Sequence, residues 1–175
     1  MSIPSKPASA KLIVGLFMHD RKLFQKAAYA LSEALKSVDM VSSWFPFDKT
    51  DYYTNEMGSP LYRRLIAFDE LIEQERLVDI KLFTNQVENN FSRGQKRMVN
   101  VDPGYLLAER FVLATGKNYA HRIYLRDGIY ADLTLIYQKS RYRCLDWTYP
   151  DYVGDALTGF LQSVRDRYMY QLRGI

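Results

Sequence analysis

Four side chains in the second half of the sequence could do chemistry together: His121, Arg122, Tyr130 and Asp132. They lie on two segments that join at Asp127-Gly128, a turn pair typical of a β-hairpin. In a hairpin, His121 or Arg122 should come near Asp132, and period-two alternation places Tyr130 and Asp132 on one face. Arginine can bind phosphate or carboxylate, histidine exchanges a proton near neutral pH, and aspartate serves as base or metal ligand. We predict His121 and Asp132 as catalytic residues and Arg122 and Tyr130 as ligand-binding residues. The alternative is a cross-strand salt bridge.

A second group surrounds Pro103-Gly104, a pair that suits the centre of a type II turn. Asn100 and Tyr105 are predicted to bind ligand there. Asp102, at a strand end beside the turn, is predicted to hold a metal ion or a ligand hydroxyl. The alternative is that Asp102 caps local backbone N–H groups.

A third group lies on a predicted helix. Lys81, Thr84 and Asn85 are predicted to bind ligand, and Lys81 precedes Glu88 by about two turns. Glu88, together with Asp102 and Asp132, is predicted to hold a divalent cation, with Mg²⁺ as the cofactor that such carboxylates favour. The alternative is a polar helix edge exposed to solvent.

A loop that ends at Gly58 carries adjacent tyrosines, which suit either a lid that stacks on a planar ligand or packing onto the body of the protein. Its side chains of interest are Thr50, Tyr52, Tyr53, Glu56 and Met57.

The elements that must position these groups follow from hydrophobic periodicity. The pattern predicts strands at 11–18, 40–47, 61–72 and 98–102, and helices at 20–37 and 74–93. The pattern at 61–72 also allows a helix, and the clear helix that follows favours the strand. This order is the split βαβ order of a ferredoxin-like antiparallel sheet with its helices on one face. A C-terminal β-hairpin extension follows, with strands at 121–125, 129–137 and 142–145, and then a terminal helix. The state of 106–115 stays open. We predict one α+β domain over residues 11–175, preceded by a disordered tail at residues 1–10.

Composition excludes several classes of protein. The 175 residues suit a single domain, and 47% are hydrophobic, an ordinary globular mixture. The single cysteine, Cys144, rules out an internal disulfide and a cysteine-based metal site, and two histidines rule out a histidine-rich one. The formal charge of +4 permits an anionic ligand without requiring one. Without a signal peptide or an apolar stretch of about 18 residues, we expect a cytoplasmic protein with no membrane contact.

Five segments of the chain resemble the DUF4416 family of uncharacterised bacterial and archaeal proteins. They are WFPFDKTDYYTNEMG (44–58), IKLFTNQVE (80–88), VNVDPGYL (99–106), HRIYLRDGIYADLTL (121–135) and WTYPDY (147–152). Asp132 stands where the family more often has glutamate, which keeps the carboxylate but shortens its reach. The resemblance implies no established activity and no assigned catalytic residues. Members are often described as GTP-binding proteins, so the resemblance raises nucleotide binding as an expectation.

The sequence argues against nucleotide binding through a P-loop. A P-loop needs G-x-x-x-x-G-K-[ST] between a strand and a helix. The nearest match, Thr115–Asn118, lacks the earlier glycine and the hydroxyl after lysine. The D-K-T-D at 48–51 resembles the guanine-reading N-K-x-D motif of GTPases except at its first residue, and residues 151–154 match D-x-x-G by spacing alone. Both patterns are short enough to arise by chance.

We therefore expect a domain that binds an anionic or phosphorylated small molecule, which could be its substrate. In this hypothesis Arg122 and Lys81 meet phosphate and His121 is the acid or base. The alternative is an RNA- or protein-binding module without catalysis, since aromatic side chains interleaved with arginine can stack on and neutralise single-stranded RNA. The fourteen tyrosines of the chain are compatible with both the small-molecule hypothesis and the binding-module hypothesis. The ligand and the oligomeric state stay open.

Overall fold

The computed structural model describes residues 1–174. In that part of the chain the α-helices are α1 (Leu23–Leu35), α2 (Thr54–Met57), α3 (Leu77–Asn90) and α4 (Asp155–Arg173). The strands are β1 (Ala10–Met18), β2 (Val38–Val41), β3 (Phe45–Phe47), β4 (Leu61–Ile72), β5 (Ser92–Arg93), β6 (Lys96–Arg97), β7 (Val99–Leu106), β8 (Arg110–Thr115), β9 (Arg122–Arg126), β10 (Ile129–Gln138) and β11 (Arg141–Cys144). Short 3₁₀ turns lie at Gln74–Arg76 and Pro150–Tyr152. The last residue of the predicted domain, Ile175, lies outside the described residues.

One large sheet organises the molecule. Its strand order is β11-β10-β8-β7-β1-β4-β2, with β3 on the same edge of β4 as β2, and β9 on the same edge of β10 as β11. Each of these pairs is antiparallel. β5 and β6 form a separate small hairpin. The prediction of a single mixed α/β domain built on an antiparallel sheet is confirmed.

Different helices cover the two faces of the sheet. On β4, the guanidinium of Arg64 lies 4.8 Å from the ring centre of Phe24 in α1. The neighbouring Arg63 lies 4.6 Å from the ring centre of Tyr152, in the turn that precedes α4. Because successive side chains of a strand point to opposite faces, α1 and this turn lie on opposite sides of the sheet. We call these sides the α1 face, which α3 also covers, and the α4 face.

β1 is the central strand, and all nine of its residues are buried. It has β4 on one side and β7 on the other, and helices over both faces. A continuous apolar run is the pattern that such a position requires. Even Lys11 is fully buried, and its ammonium donates to Asp39 (2.8 Å) and to Gln171 of α4 (2.9 Å).

The predicted turn at Pro103-Gly104 is wrong, because β7 continues straight through both residues. Gly104 pairs with β1 on one side and with β8 on the other. A Cβ at Gly104 would lie only 2.4 Å from the carbonyl oxygen of Val112, so this glycine permits a close approach of two strands instead of a turn. Pro103 lies just before the part of β7 that pairs with β8, where its missing N–H costs no ladder bond.

Several predicted boundaries also change. The strand expected at 40–47 is two short strands, β2 and β3, interrupted at Ser42, whose backbone N–H and hydroxyl instead bond the backbone of Leu65. The helix expected at 74–93 begins with a 3₁₀ turn and ends at Asn90, and the β5–β6 hairpin takes its last residues. β1 begins at Ala10, which is fully buried, so the exposed tail is one residue shorter than predicted.

The C-terminal part follows its prediction closely. β9, β10 and β11 each begin and end within one residue of the expected strands. Both hairpin turns have two successive residues with positive φ, Asp127-Gly128 and Lys139-Ser140, as a type I′ turn requires. The open segment at 106–115 forms the end of β7 and all of β8.

Candidate functional site

Strand register brings two of the predicted groups to one face of the sheet. Asp132 of β10 pairs with Leu113 of β8, and Leu113 pairs with Gly104 of β7. Asp102 is two residues from Gly104 on the same strand and therefore projects to the same face. On its other side Asp132 pairs with Arg122. Paired residues of antiparallel strands project to the same face, so Asp102, Asp132 and Arg122 share it. This is the α4 face, because Asp102 also pairs with Gly15, which lies against Tyr152.

A buried arginine lies at the centre of this region. Arg63 is 3% exposed, donates to the Asp151 carboxylate, and has its Nη2 3.8 Å from Oδ2 of Asp102. Its guanidinium packs 4.6 Å from the ring centres of both Phe47 and Tyr152. Burial alone would lower the pKa of Arg63, but the neighbouring phenol and carboxylates raise it, so the guanidinium stays charged. Sequence reasoning missed Arg63; an arginine on an apolar strand predicted to be buried was the available signal.

Three buried polar atoms in this region have no hydrogen-bond partner within residues 1–174. They are Nε of Arg63, Nδ2 of Asn100 and the hydroxyl of Tyr152. Their residues are 3%, 3% and 1% exposed. Burial also raises the pKa of Tyr152 above its ordinary value, and this keeps its hydroxyl protonated. All three atoms can donate, and buried donors in native proteins normally meet an acceptor.

We call this region the charged end of the α4 face. It consists of Arg63, Asn100, Asp102, Arg122, Asp132, Asp151 and Tyr152, with His121 and Tyr149 at its rim.

The two predicted catalytic residues of the hairpin, His121 and Asp132, contact each other. Nε2 of His121 lies 3.3 Å from Oδ2 of Asp132, and Nε of Arg122 donates to the same oxygen at 2.9 Å. The imidazole stacks on Trp147, with ring centres 5.1 Å apart and planes 12° apart. Arg122 also donates to the hydroxyl of Tyr149 at 3.0 Å. A carboxylate that orients a histidine in this way fits acid or base chemistry, and the Arg122–Asp132 ion pair also matches the structural alternative.

The two predicted ligand-binding tyrosines, Tyr130 and Tyr105, lie on opposite faces of the sheet. Tyr130 is two residues from Asp132 on β10, on the same face, with its ring against Tyr124 at 5.3 Å between centres. Tyr105 is three residues from Asp102 on a continuous strand and so projects to the α1 face. The structure therefore does not bring Tyr105 to the charged end.

The α3 group stabilises the fold. The ammonium of Lys81 donates to the carbonyl oxygen of Val101 at 3.0 Å, and Oε1 of Glu88 accepts from the N–H of the same residue at 2.8 Å. Val101 lies on the stretch of β7 that β8 does not reach, so α3 satisfies a strand edge. The Thr84 hydroxyl is fully buried and donates to the carbonyl oxygen of Lys81, and Asn85 is half-buried on the helix. We assign Lys81, Thr84 and Glu88 to packing; Asn85, on the same helix, stays a predicted ligand-binding residue.

Arg97, which the sequence did not single out, connects this edge to the loop before β4. It makes two hydrogen bonds to Glu56, at 2.6 and 2.8 Å, and also donates to Glu88 (3.1 Å) and Asn100 (2.8 Å). The hydrogen bonds from Arg97 lower the pKa of Glu56. In the same loop, Tyr53 packs against Phe17 and burial raises its pKa.

Tyr52 of that loop is exposed at the rim of the charged end. The ammonium of Lys117 lies 4.5 Å from its ring centre and 3.4 Å from its hydroxyl. Of the two adjacent tyrosines, Tyr53 therefore packs on the body of the protein, and Tyr52 is exposed. The function of the loop as a lid stays a prediction.

The predicted metal set does not assemble. Within residues 1–174 there is no group of three or more His, Cys, Asp or Glu side chains that could hold a metal ion. Glu88 is bound to the Val101 edge and to Arg97, and Asp132 to Arg122. The carboxylates of Glu88, Asp102 and Asp132 thus have different surroundings.

Two surface depressions lie elsewhere, with volumes of about 640 and 660 Å³. The first is lined by Asp69 and Gln171 near the end of α4, and the second lies between α1 and β2. Neither contains a residue of the charged end. We give the charged end priority because it holds buried ionic groups and unpartnered donors.

A family model described as a domain of unknown function, DUF4416, matches residues 8–168. The chain belongs to the DUF4416 family. The match covers the whole charged end, so the site lies within the family's domain. No curated protein matches the chain, and no solved structure matches it. In residues 1–174 we find no helix that is long and apolar enough to cross a membrane.

Proposed function

We propose that this DUF4416 protein binds a phosphorylated small molecule at the charged end. The observation that carries the proposal is the set of three buried donors that find no acceptor in the described part of the chain, on Arg63, Asn100 and Tyr152. Leaving a buried donor unsatisfied costs about 1–3 kcal/mol each. A ligand that supplies acceptor oxygens, as a phosphate does, would recover that free energy.

The surroundings of these donors fit such a ligand. Asp102, with a side chain 29% exposed, marks where the region opens to solvent. Lys117 provides positive charge at the rim, and Tyr52 and Tyr149 offer exposed aromatic rings. Aromatic rings of this kind stack on planar ligands, so a nucleotide, bound without a P-loop, belongs among the candidates.

If the ligand is a substrate, His121 is the acid or base and Asp132 orients it. A divalent cation such as Mg²⁺ would be held largely by phosphate oxygens of the ligand, as is common for this ion. The framework that carries the site is, in our proposal, a ferredoxin-like unit, and the order β7-β1-β4-β2 with helices after β1 and β4 supports this classification.

The test is a thermal-shift panel of phosphorylated metabolites and nucleotides, with and without Mg²⁺, on three forms of the protein. Tyr152→Phe removes one unpartnered donor at the charged end. Tyr142→Phe is the matched control, because its hydroxyl is also buried and unpartnered but lies on β11 at the opposite end of β10. A ligand at about 100 times its Kd should add about 2.7 kcal/mol of stability.

We expect wild type and Tyr142→Phe to respond equally to the same ligand and Tyr152→Phe to respond less. A panel without any response, or an equal response of all three forms, contradicts the proposal.

A protein-binding module is the second candidate, and a separate observation favours it. β9 is an edge strand, and its side chains Ile123, Tyr124 and Leu125 are exposed. Exposed apolar side chains on a strand edge are typical of surfaces that associate. Light scattering of wild type and of Ile123→Lys, which should differ if this edge binds a second copy, tests that candidate.

RNA binding receives less support from the side-chain contacts. Arg63, Arg97 and Arg122 are each paired with carboxylates within the fold, instead of being presented to a phosphate backbone. A steep loss of nucleic-acid affinity with salt, the signature of phosphate contacts, would restore it.

A further inference from the structure

We infer that the ligand of the charged end carries neutral hydroxyl groups beside its phosphate, and that Asp102 binds those hydroxyls. This inference rests on the proposed function and narrows the ligand to a phosphate ester of a polyol, such as a sugar phosphate or the sugar-phosphate part of a nucleotide.

The first argument is that Asp102 is the carboxylate left over by the internal pairing. Asp151 takes the direct hydrogen bond from Arg63, and only 7% of its side chain is exposed. Asp102 is 3.8 Å from Nη2 of the same arginine, beyond hydrogen-bond distance, and its carboxylate makes no hydrogen bond within residues 1–174. Its oxygens are therefore free to accept from a ligand at the point where the region opens.

The second argument decides which donor suits Asp102. The guanidinium of Arg63 places a full positive charge next to this carboxylate. A divalent cation needs several oxygen ligands, and within residues 1–174 Asp102 belongs to no group of three His, Cys, Asp or Glu side chains that could hold one, whereas a neutral hydroxyl needs a single acceptor. Hydroxyl donors bind ionised carboxylates through short, strong hydrogen bonds. Asp102 is thus suited to hydroxyl groups.

The third argument places donors beside this acceptor. A Cβ built on Gly15 would lie 3.4 Å from the hydroxyl of Tyr152 and 3.7 Å from the backbone carbonyl oxygen of Asp102, so this hydroxyl and the backbone of Asp102 are neighbours beside Gly15 of β1. The unpartnered Nε of Arg63 lies on the guanidinium that packs on this tyrosine. A ligand here meets acceptor and donor groups side by side, which matches a hydroxylated molecule that also carries acceptor oxygens.

The fourth argument places the phosphate at the rim. Lys117 is exposed, contacts Tyr52, and forms no ion pair with a carboxylate within the described residues. Its backbone carbonyl accepts from Arg122, and this hydrogen bond places Lys117 beside the charged end. Surplus positive charge at Lys117 and surplus negative charge at Asp102 together fit a molecule with phosphate at one end and hydroxyls at the other.

Isothermal titration with two probes tests the inference: inorganic phosphate and ribose 5-phosphate, each with and without Mg²⁺. The protein forms are wild type, Asp102→Asn and the matched control Asp166→Asn, which removes the same charge from an exposed position on α4. Melting curves of each form establish that it is folded.

For wild type and Asp166→Asn we expect ribose 5-phosphate to bind roughly 10-fold more tightly than inorganic phosphate, with or without Mg²⁺. Asp102→Asn should lose this preference and keep its affinity for inorganic phosphate.

Equal affinity of wild type for the two probes overturns the inference and leaves the proposed function standing, and this comparison needs no variant. A preference that requires Mg²⁺, or one that survives in Asp102→Asn, also overturns it. If neither probe binds, the proposed function fails at this site and the inference fails with it.

Discussion

Replacing Lys81 by methionine tests whether α3 stabilises the exposed edge of β7. The substitution keeps the length of the side chain but removes the ammonium that donates to the carbonyl oxygen of Val101 (3.0 Å) and lies 3.9 Å from Glu88. Removing one partner of a buried ion pair typically costs about 3–5 kcal/mol. Glu88 keeps its contact with Arg97, so we expect the lower end, about 3 kcal/mol. For a chain of this length that corresponds to a fall in melting temperature of roughly 6–12 °C.

The loss should also depend on pH. Burial raises the pKa of Glu88, so the folded state binds this proton more tightly than the unfolded state does. A raised pKa in the folded state contributes stability that is present at low pH and is lost as pH rises through the folded pKa. Because Lys81→Met removes a cation that favours the ionised form, the deficit should be larger at pH 7.5 than at pH 5.

The assay is urea denaturation followed by circular dichroism at both pH values. Lys26→Met, on an exposed position of α1, serves as the control, and Glu88→Gln and the double variant complete a thermodynamic cycle. If Lys81→Met differs from the control by less than about 0.5 kcal/mol, or if its deficit is the same at both pH values, the assignment of Lys81 and Glu88 to this edge is refuted.

Three further outcomes follow from the contacts of single residues. Without ligand, Tyr152→Phe and Tyr142→Phe should each raise the free energy of unfolding by about 1–3 kcal/mol, since each removes a buried hydroxyl that lacks a partner; a lower melting temperature would show that the hydroxyl is satisfied. Gly104→Ala should destabilise the protein by at least about 1–3 kcal/mol, because its Cβ would lie 2.4 Å from the carbonyl oxygen of Val112; a variant as stable as wild type in chemical denaturation would contradict this contact. Asp151→Asn should cost about 3–5 kcal/mol by leaving the buried β4 arginine without its direct ionic partner, and an unchanged urea midpoint would show that the ion pair contributes little.

Local patterns in the sequence were sufficient where the structure depends on neighbouring residues. The turn pair Asp127-Gly128 predicted the hairpin of β9 and β10, and a one-residue register shift between Ile129 and Tyr130 places Arg122 opposite Asp132. The limits of β4 were also predicted, although its apolar pattern allows a helix as well, because its length and the clear helix that follows favour a strand.

Long-range register was beyond the reach of the same patterns. Pro103-Gly104 has turn chemistry, yet β1 and β8 hold both residues in a strand, since tertiary pairing overrides local preference. The pairing of Arg63 with Asp151 joins residues 88 positions apart. Single-sequence reasoning also placed Tyr105 beside Asp102, an arrangement that required the turn.

The contacts of α3 with Val101 also close a strand edge to pairing with another molecule. A strand edge with a free N–H and a free C=O is a template on which a strand from another molecule can add. At Val101 the carboxylate of Glu88 and the ammonium of Lys81 occupy both groups, so they take the place of a neighbouring strand where β8 stops short. Two charged side chains from a helix thus protect this edge as a neighbouring strand would, at a position three residue pairs beyond the end of the β7–β8 ladder.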